Sequence, residues 1–383
     1  MQQQLKTFAL QLIYLAQRHP GLLALFGFIS GMASFLLIER SEAIAQFIAL
    51  LMLISWLWLV MEQTLHQGVL SRFGLDLPPA LMRFVTQMVH QESFFFVLPF
   101  FFAATHWGTG QIWATTLLAF CALISLIDPL YYGQLATRRA LFVAFHGLAL
   151  FASLLVCLPI ILHLTTGQSY FLALALALLL SLPGLGALLP AGAQWRRPVL
   201  FLLLALLAIG VWHLRPHVAP VPMRLADVAV TQEVDRSARR PGNPIKEIDS
   251  HMLHQQGIYA WTAIRVPRGL RETVYHVWIQ DNKVIDRIPL EIRGGREEGY
   301  RAWSFKQHFP AQPEGNWQVR ATTAAGQTIG LTRFRVLEAL PTDPYPSLEI
   351  EKSSELNADG TEPSASKVEE PLHTGETIRG EQN

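Results

Sequence analysis

Polar and ionisable side chains inside long apolar stretches are the first candidates for chemistry. A charge in hydrocarbon costs roughly 3 kcal/mol or more and is kept where it faces a protein interior or water. His90, Gln91 and Glu92 form one such group, and Asp128 and His146 are two more. Two imidazoles and two carboxylates brought together at one depth could relay protons, hold a cation or grip a polar headgroup. A second reading stays open. Leu81, Phe84, Val85, Met88 and Val89 make one apolar face against Arg83, Gln87, His90 and Gln91, as in a helix lying flat in an interface. Pro78 and Pro79 would then start that helix, the span proper would begin at Ser93, Glu92 would be an N-terminal acid favoured by the helix dipole, and Asp128 before Pro129 would be an interfacial helix end.

Elsewhere the chemistry is sparse. His251-x-x-His254 could set two imidazoles on one helical turn, but it lacks the acid and further ligands of a zinc hydrolase motif, so no metal is expected. No Gly-rich phosphate loop followed by Lys-Ser/Thr occurs, and no Ser/His/Asp constellation is recognisable. The run Gly27-Phe28-Ile29-Ser30-Gly31 has its serine one place late for a G-x-S-x-G elbow and fits the small-residue spacing of close helix packing. The two cysteines, Cys121 and Cys157, both lie in apolar runs, which leaves the chain beyond them without a disulfide or a cysteine zinc site. No cofactor is expected and no catalytic residue is assigned.

These positions belong to a chain of 383 residues with a mean hydropathy of +0.28 and a formal net charge of +1. That charge excludes a bulk polyanion binder, so nucleic acid is not an expected partner. The composition is split: residues 1–214 hold 9 Lys and Arg and 6 Asp and Glu, and the remaining 21 basic and 23 acidic groups follow. A soluble domain needs a charged surface, so the first half reads as dissolved in a lipid bilayer. Apolar stretches near Gly21–Ile38, Ala43–Met61, Phe84 or Ser93 to Trp107, Gln111–Leu130, Leu141–Leu164, Tyr170–Leu189 and Pro198–Leu214 predict about seven transmembrane helices in a domain 1–214. With the amino terminus in the cytoplasm, the inner segments carry Lys6, Arg18, Arg72, Arg83, Arg138, Arg139, Arg196 and Arg197, and the outer loops carry Arg40 alone. An odd number of spans then exports everything after Leu214, into the periplasm for a bacterial inner membrane.

Pro216, Pro220 and Pro222 predict an extended connector over 215–224. After it, runs rich in Val, Ile, Thr and aromatics recur between turn residues: Leu225–Thr231, Gly257–Val266, Glu272–Gln280, Lys283–Ile292, Gly299–Phe309, Asn316–Thr323 and Gln327–Leu337. They predict an immunoglobulin-like antiparallel β-sandwich over 225–338, with a tight hairpin at Asp281-Asn282 and a turn at Ala325-Gly326. Trp278, with polar neighbours on its own strand face, reads as an exposed binding aromatic, and Arg301 and Trp303 complete a candidate binding face. Connector and sandwich hold 18 basic against 13 acidic groups. Residues 339–383, with 3 basic against 10 acidic groups and few aromatics, read as a disordered acidic tail.

The run Tyr275-His276-x-Trp278, Lys283-Val284, Pro289-Leu290, Tyr300-Arg301-x-Trp303-Ser304-x-Lys306, Gly315-x-Trp317-x-Val319, Gly326 and Phe334-x-Val336 resembles domain of unknown function 2914. Gln91-Glu92-Ser93, Phe95-Phe96-x-Leu98-Pro99 and Asp128-Pro129-x-Tyr131 are similar to the membrane region of domain of unknown function 5924. The resemblance implies an inner-membrane protein of Gram-negative type and supplies no catalytic residue. Two function classes follow. In one, helices anchor a periplasmic module that binds an envelope glycan, lipid or protein. In the other, a transporter or membrane-embedded enzyme uses the intramembrane His, Glu and Asp groups.

Overall fold

A computed structural model describes residues 20–65, 79–186, 196–221, 223–295 and 298–338. The expected acidic tail lies outside the described residues, as do Lys6, Arg18 and Arg72 of the expected inner segments. The chain divides into a helical part and a β-rich part. The helices are α1 (Pro20–Arg40), α2 (Glu42–Leu65), α3 (Pro79–Ala104), α4 (Gln111–Leu126), α5 (Asp128–Leu135), α6 (Arg139–Leu162), α7 (Thr166–Gly186) and α8 (Arg196–His213). Prolines open α1 and α3, where a missing amide costs nothing and φ is already helical.

Two internal prolines explain how these helices pack. Pro99 in α3 cannot donate to the carbonyl four residues back, that of Phe95. Helix α1 crosses α3 at this point, and a Cβ on Gly31 would overlap the Phe95 carbonyl. Gly27, one turn earlier, lies against the Phe95 ring and the Glu92 and Gln91 side chains. The small-residue spacing is therefore a packing device, with Gly31 admitting the freed carbonyl. Pro129 likewise leaves the Ser125 carbonyl without its helical donor, and the chain breaks at Ile127, so that α4 and α5 meet at a bend of 97°. The Gln87 amide donates to that carbonyl at 3.1 Å. Helix α3 is continuous through Ser93, so Glu92 stands in mid-helix and is not an N-terminal acid.

Among the described residues one helix, α6, is long and apolar enough to cross a membrane by length and composition, and the bent pair α4 and α5 passes together. The apolar stretches Leu25–Leu37, Ala43–Leu57, Thr166–Leu182 and Pro198–His213 are shorter, so seven spans are not supported on those terms. Arg83, Gln87, His90, Gln91 and Glu92 dilute the first half of α3. Large apolar side chains such as Phe26, Phe47, Leu51, Phe120, Phe171 and Phe201 are exposed along the helices, whereas the β-rich part exposes Met252, Val284, Phe305 and Leu337 among its described residues.

The β-rich part contains β1 (Arg224–Thr231), β2 (Val234–Asp235), β3 (Arg240–Pro241), β4 (Glu247–Asp249), α9 (Ser250–Gln256), β5 (Ile258–Arg265), β6 (Arg271–Gln280), β7 (Lys283–Arg293), β8 (Tyr300–Lys306), β9 (Gly315–Thr323) and β10 (Thr328–Leu337). A three-stranded sheet, β1-β5-β8, faces a five-stranded one, β4-β10-β9-β6-β7, and β2 pairs with β3. The pairing is antiparallel except for β4, which runs parallel to β10, a departure from the all-antiparallel expectation. Asp281 and Asn282 both take positive φ, as the two-residue hairpin between β6 and β7 requires. One core gathers Trp278, Trp317, Phe334 and Leu253; another gathers Met223, Ile264, Leu270 and Val274. The connector is not an extended tether. It makes a 3₁₀ turn at Arg215–His217, buries Ala219 and Val221 in the helical core, and buries Met223 in the sandwich.

Gly31→Val should lower the thermal unfolding midpoint of the full chain, by about 1–3 kcal/mol of stability, because a backbone carbonyl cannot yield. Gly27→Ala, which meets side chains at 3.2 Å or more, should cost far less, and equal losses would contradict the packing described.

Candidate functional site

Helix α3 carries its polar groups on more than one face, and the faces lead to different neighbours. His90 is fully buried; its Nδ1 lies 2.8 Å from the Tyr131 hydroxyl and its Nε2 lies 3.1 Å from His146 Nδ1. One turn earlier Gln87 donates to Asp128 Oδ1 at 2.7 Å and accepts from the Tyr132 hydroxyl at 2.6 Å. Ser93 accepts from the Trp56 indole at 2.9 Å, and the Trp56 ring stands 4.9 Å from that of His146. Glu92 points elsewhere: its Oε2 accepts from Ser30 of α1 at 2.9 Å. The expected convergence of His90, Gln91, Glu92, Asp128 and His146 is therefore corrected. Residues two apart on a helix diverge by about 200°, so His90 and Glu92 cannot share a site though they share a depth. The imidazoles meet each other and Tyr131, Asp128 joins Gln87 one turn away, and Gln91 Nε2 and Glu92 Oε1 on the α1 side are buried without a hydrogen-bond partner among the described residues.

Tyr131, His90 and His146 form a chain with a direction. If the tyrosine donates to His90 Nδ1, His90 donates through Nε2 to His146 Nδ1, and the His146 Nε2 proton is left pointing onward. If every bond reverses, the tyrosine proton needs another acceptor. Nε2 of His146 has no hydrogen-bond partner among the described residues, and His146 borders a cavity of about 20 Å³ with Phe142, Val143, Leu180, Ser181 and Gly184. Such a chain can pass a proton from one end to the other by exchanging its bonds. Sequence reasoning missed Tyr131 and Gln87; the three-residue spacing of Gln87 and His90 and the carbonyl freed by Pro129 were the signals available.

Helical and β-rich parts meet through buried side chains bonded to main-chain groups. Gln111, at the start of α4, donates to the Thr328 carbonyl at 2.8 Å and accepts from the His106 amide at 3.0 Å. Glu272 accepts from the Thr166 amide at the start of α7 at 2.7 Å, and Gln327 donates to the Val218 carbonyl at 3.0 Å. Burial raises the Glu272 carboxyl above its ordinary value, and the Thr166 amide pulls it back. Burial, then the Arg333 and Arg320 guanidiniums, hold the His106 imidazole below its ordinary value.

Within the sandwich, Trp278 is fully buried and packs against Phe334 and Phe309, so its assignment as an exposed binding aromatic is corrected. Its polar strand neighbours are satisfied inside the protein: His276 reaches Thr262 at 3.1 Å and Ser304 at 2.8 Å on the facing sheet, and Gln280 donates to the Gln312 and Glu314 carbonyls. Arg301 and Trp303 lie on the outer face of the three-stranded sheet, away from Trp278. Arg301 pairs with Glu298 and donates to the Ala238 carbonyl, and Arg239 stands 5.5 Å above the Trp303 ring. Lys306, buried, donates to Asp286 across the sheets at 2.8 Å and holds that carboxyl below its ordinary value. His251 and His254 bond within α9, and no group of three metal-binding side chains occurs among the described residues.

Burial holds the His276 imidazole down at about 3, whereas an unfolded chain titrates near 6.5. Below about pH 6.5 the unfolded state takes up a proton that the folded state refuses, so stability falls as pH drops toward 3, by at most about 1.4 kcal/mol per pH unit from this group. In urea unfolding between pH 7 and 4, His276→Leu should flatten that dependence while lowering stability at pH 7; an unchanged slope would contradict the neutral inter-sheet imidazole.

Family models match almost the whole described chain. The family of unknown function DUF5924 matches residues 2–260, and the protein of unknown function DUF2914 matches residues 271–336. The first match runs past the helices and takes in β1 and the start of β5, so both matched regions build the sandwich. No curated protein and no solved structure matches the chain.

Proposed function

Because the chain belongs to the family of unknown function DUF5924 and continues into a DUF2914 region, we propose a function for the architecture that the two regions build together. The protein is an integral protein of the bacterial cytoplasmic membrane with its amino terminus inside. Its helices hold the β-sandwich on the exported side, where the sandwich recognises a glycan, lipid or protein of the envelope. The observation that carries this reading is the exposed apolar surface of the helices, with Phe26, Phe47, Leu51, Phe120, Phe171 and Phe201 turned outward. A folded protein in water rarely leaves so many large apolar side chains uncovered. The direction is supported by the seam: the sandwich bonds to Gln111 at the start of α4, to Thr166 at the start of α7 and to Val218 just past the turn that follows α8. Arg83, Arg138 and Arg139 lie at the other ends of their helices, as the retention of cationic loops in the cytoplasm requires.

Both native cysteines are buried, which makes labelling of introduced thiols clean. Ser237→Cys, in the exposed turn between β2 and β3, should react with a membrane-impermeant maleimide in intact spheroplasts. Gln134→Cys, exposed on α5, should react after lysis alone. The opposite pattern would overturn the topology.

A second reading is favoured by the Tyr131, His90 and His146 chain and its unpartnered nitrogen. In it the helical part is a transporter or membrane-embedded enzyme that moves a proton along these three groups. His146→Phe and Tyr131→Phe should then fail to complement a deletion strain at normal membrane abundance, while Glu92→Gln complements fully. Full complementation by His146→Phe would remove this reading.

A further inference from the structure

We propose that the junction between the α3–α4 loop and the outer face of the five-stranded sheet, where His106, Arg320 and Arg333 come together, binds the phosphate of an anionic phospholipid in the exported leaflet. This rests on the membrane reading above. Arg320 alternates with the core residues Val319 and Ala321 on β9, so it stands on the outward face, and Arg333 on β10, paired with Gln318, is its diagonal neighbour there; His106 is tied to the start of β10 through Gln111, which accepts from the His106 amide and donates to the Thr328 carbonyl. Arg320 Nε and His106 Nδ1 are both shielded from solvent and have no hydrogen-bond partner among the described residues. Among the described residues the side-chain hydrogen bond of Arg320 is to a neutral group, from Nη2 to Gln318 Oε1 at 3.3 Å. Among the described residues neither arginine has a carboxylate within ion-pair distance.

Two guanidiniums on one sheet face, beside an imidazole nitrogen of the helical part that has no partner, repel one another unless an anion joins them, and guanidinium forks suit a phosphate best. The surroundings identify which phosphate. Trp107, next to His106, and Trp113, one turn into α4, are both exposed, and Trp107 packs on the exposed Phe102 at 4.6 Å. Exposed tryptophans at a helix end mark headgroup depth, with acyl chains alongside the apolar helix surface below. Leu117 and Phe120 continue that surface down α4. A lipid lying on this face would bring its phosphate to the level of His106 and the two arginines.

The test uses the detergent-purified, delipidated full chain and native mass spectrometry with added phosphatidylglycerol or phosphatidylcholine. The wild type should retain phosphatidylglycerol about tenfold or more in preference to phosphatidylcholine. Arg333→Gln and Arg320→Gln should each weaken that retention about tenfold, the consequence of one lost charge-assisted bond. Arg333 is exposed, so its replacement leaves the fold intact. Arg236→Gln, an exposed cation of the β2–β3 turn, should change nothing. Equal retention of both lipids, retention unaffected by Arg333→Gln, or equally tight binding of inorganic phosphate would each overturn the assignment. Because lipid is added to protein in detergent, the result does not depend on topology, which the maleimide labelling reads separately.

Discussion

A main-chain amide or carbonyl taken out of water costs several kcal/mol unless it finds a partner, and the side chains that meet this demand organise both parts of the protein and join them. Pro129 withdraws the donor for the Ser125 carbonyl, and Gln87 supplies another. The same amide group holds Asp128, and its oxygen holds Tyr132. With those three contacts made, the bend between α4 and α5 is pinned, and Tyr131, on the next residue of the bent turn, is delivered to His90. The polar chain inside the helices is thus a consequence of how one proline was accommodated.

The seam obeys the same rule. Gln111, Glu272 and Gln327 are buried and each serves a main-chain group of the opposite part. Glu272 gains further from its place at the start of α7, where the helix dipole favours an anion. Swinging the sandwich about the chain between Arg215 and Met223 would leave these backbone groups unpaired at once, each at about 1–3 kcal/mol. Prolines at 216, 220 and 222 suggest a tether by composition, but the burial of Ala219, Val221 and Met223 makes the segment part of the two cores. The β-rich part is therefore held at a fixed height over the helices, which keeps the arginines of β9 and β10 near the exposed tryptophans of the α3–α4 junction.

The β-rich part was the more legible in the sequence. Period-two alternation and turn residues are local signals, and β1 and β5 to β10 start and end within a few residues of their expected positions. Strand β4 was not legible, because three residues carry no period and its partner β10 is distant in the chain. The sidedness of Trp278 was lost for a physical reason: polar neighbours mark a solvent face when water satisfies them, but His276 is satisfied by Thr262 and Ser304 across the core. In the helical part the helix positions followed from apolar length, whereas the candidate site did not. Equal depth does not give proximity: azimuth, which separates His90 from Glu92, decides contact.

Three buried imidazoles among the described residues, His276 and the His90 and His146 pair, show how to tell structure from chemistry. His276 sits between sheets with both nitrogens bonded to hydroxyls, each of which can donate or accept. That arrangement is closed: any tautomer is accommodated, nothing is left over, and burial keeps the ring neutral, so its role is to fix two sheets at one spacing. The His90 and His146 pair is open. A ring nitrogen accepts only what its partner donates, so the pair and Tyr131 must share one direction of donation, and one end stays without a partner whichever direction is taken. A buried, unmet polar atom lowers stability and offers no packing advantage over Phe or Leu in the same place. Such a group persists where an incoming proton or acceptor completes it, and this is the physical ground for seeking activity at His146 while reading His276 as architecture.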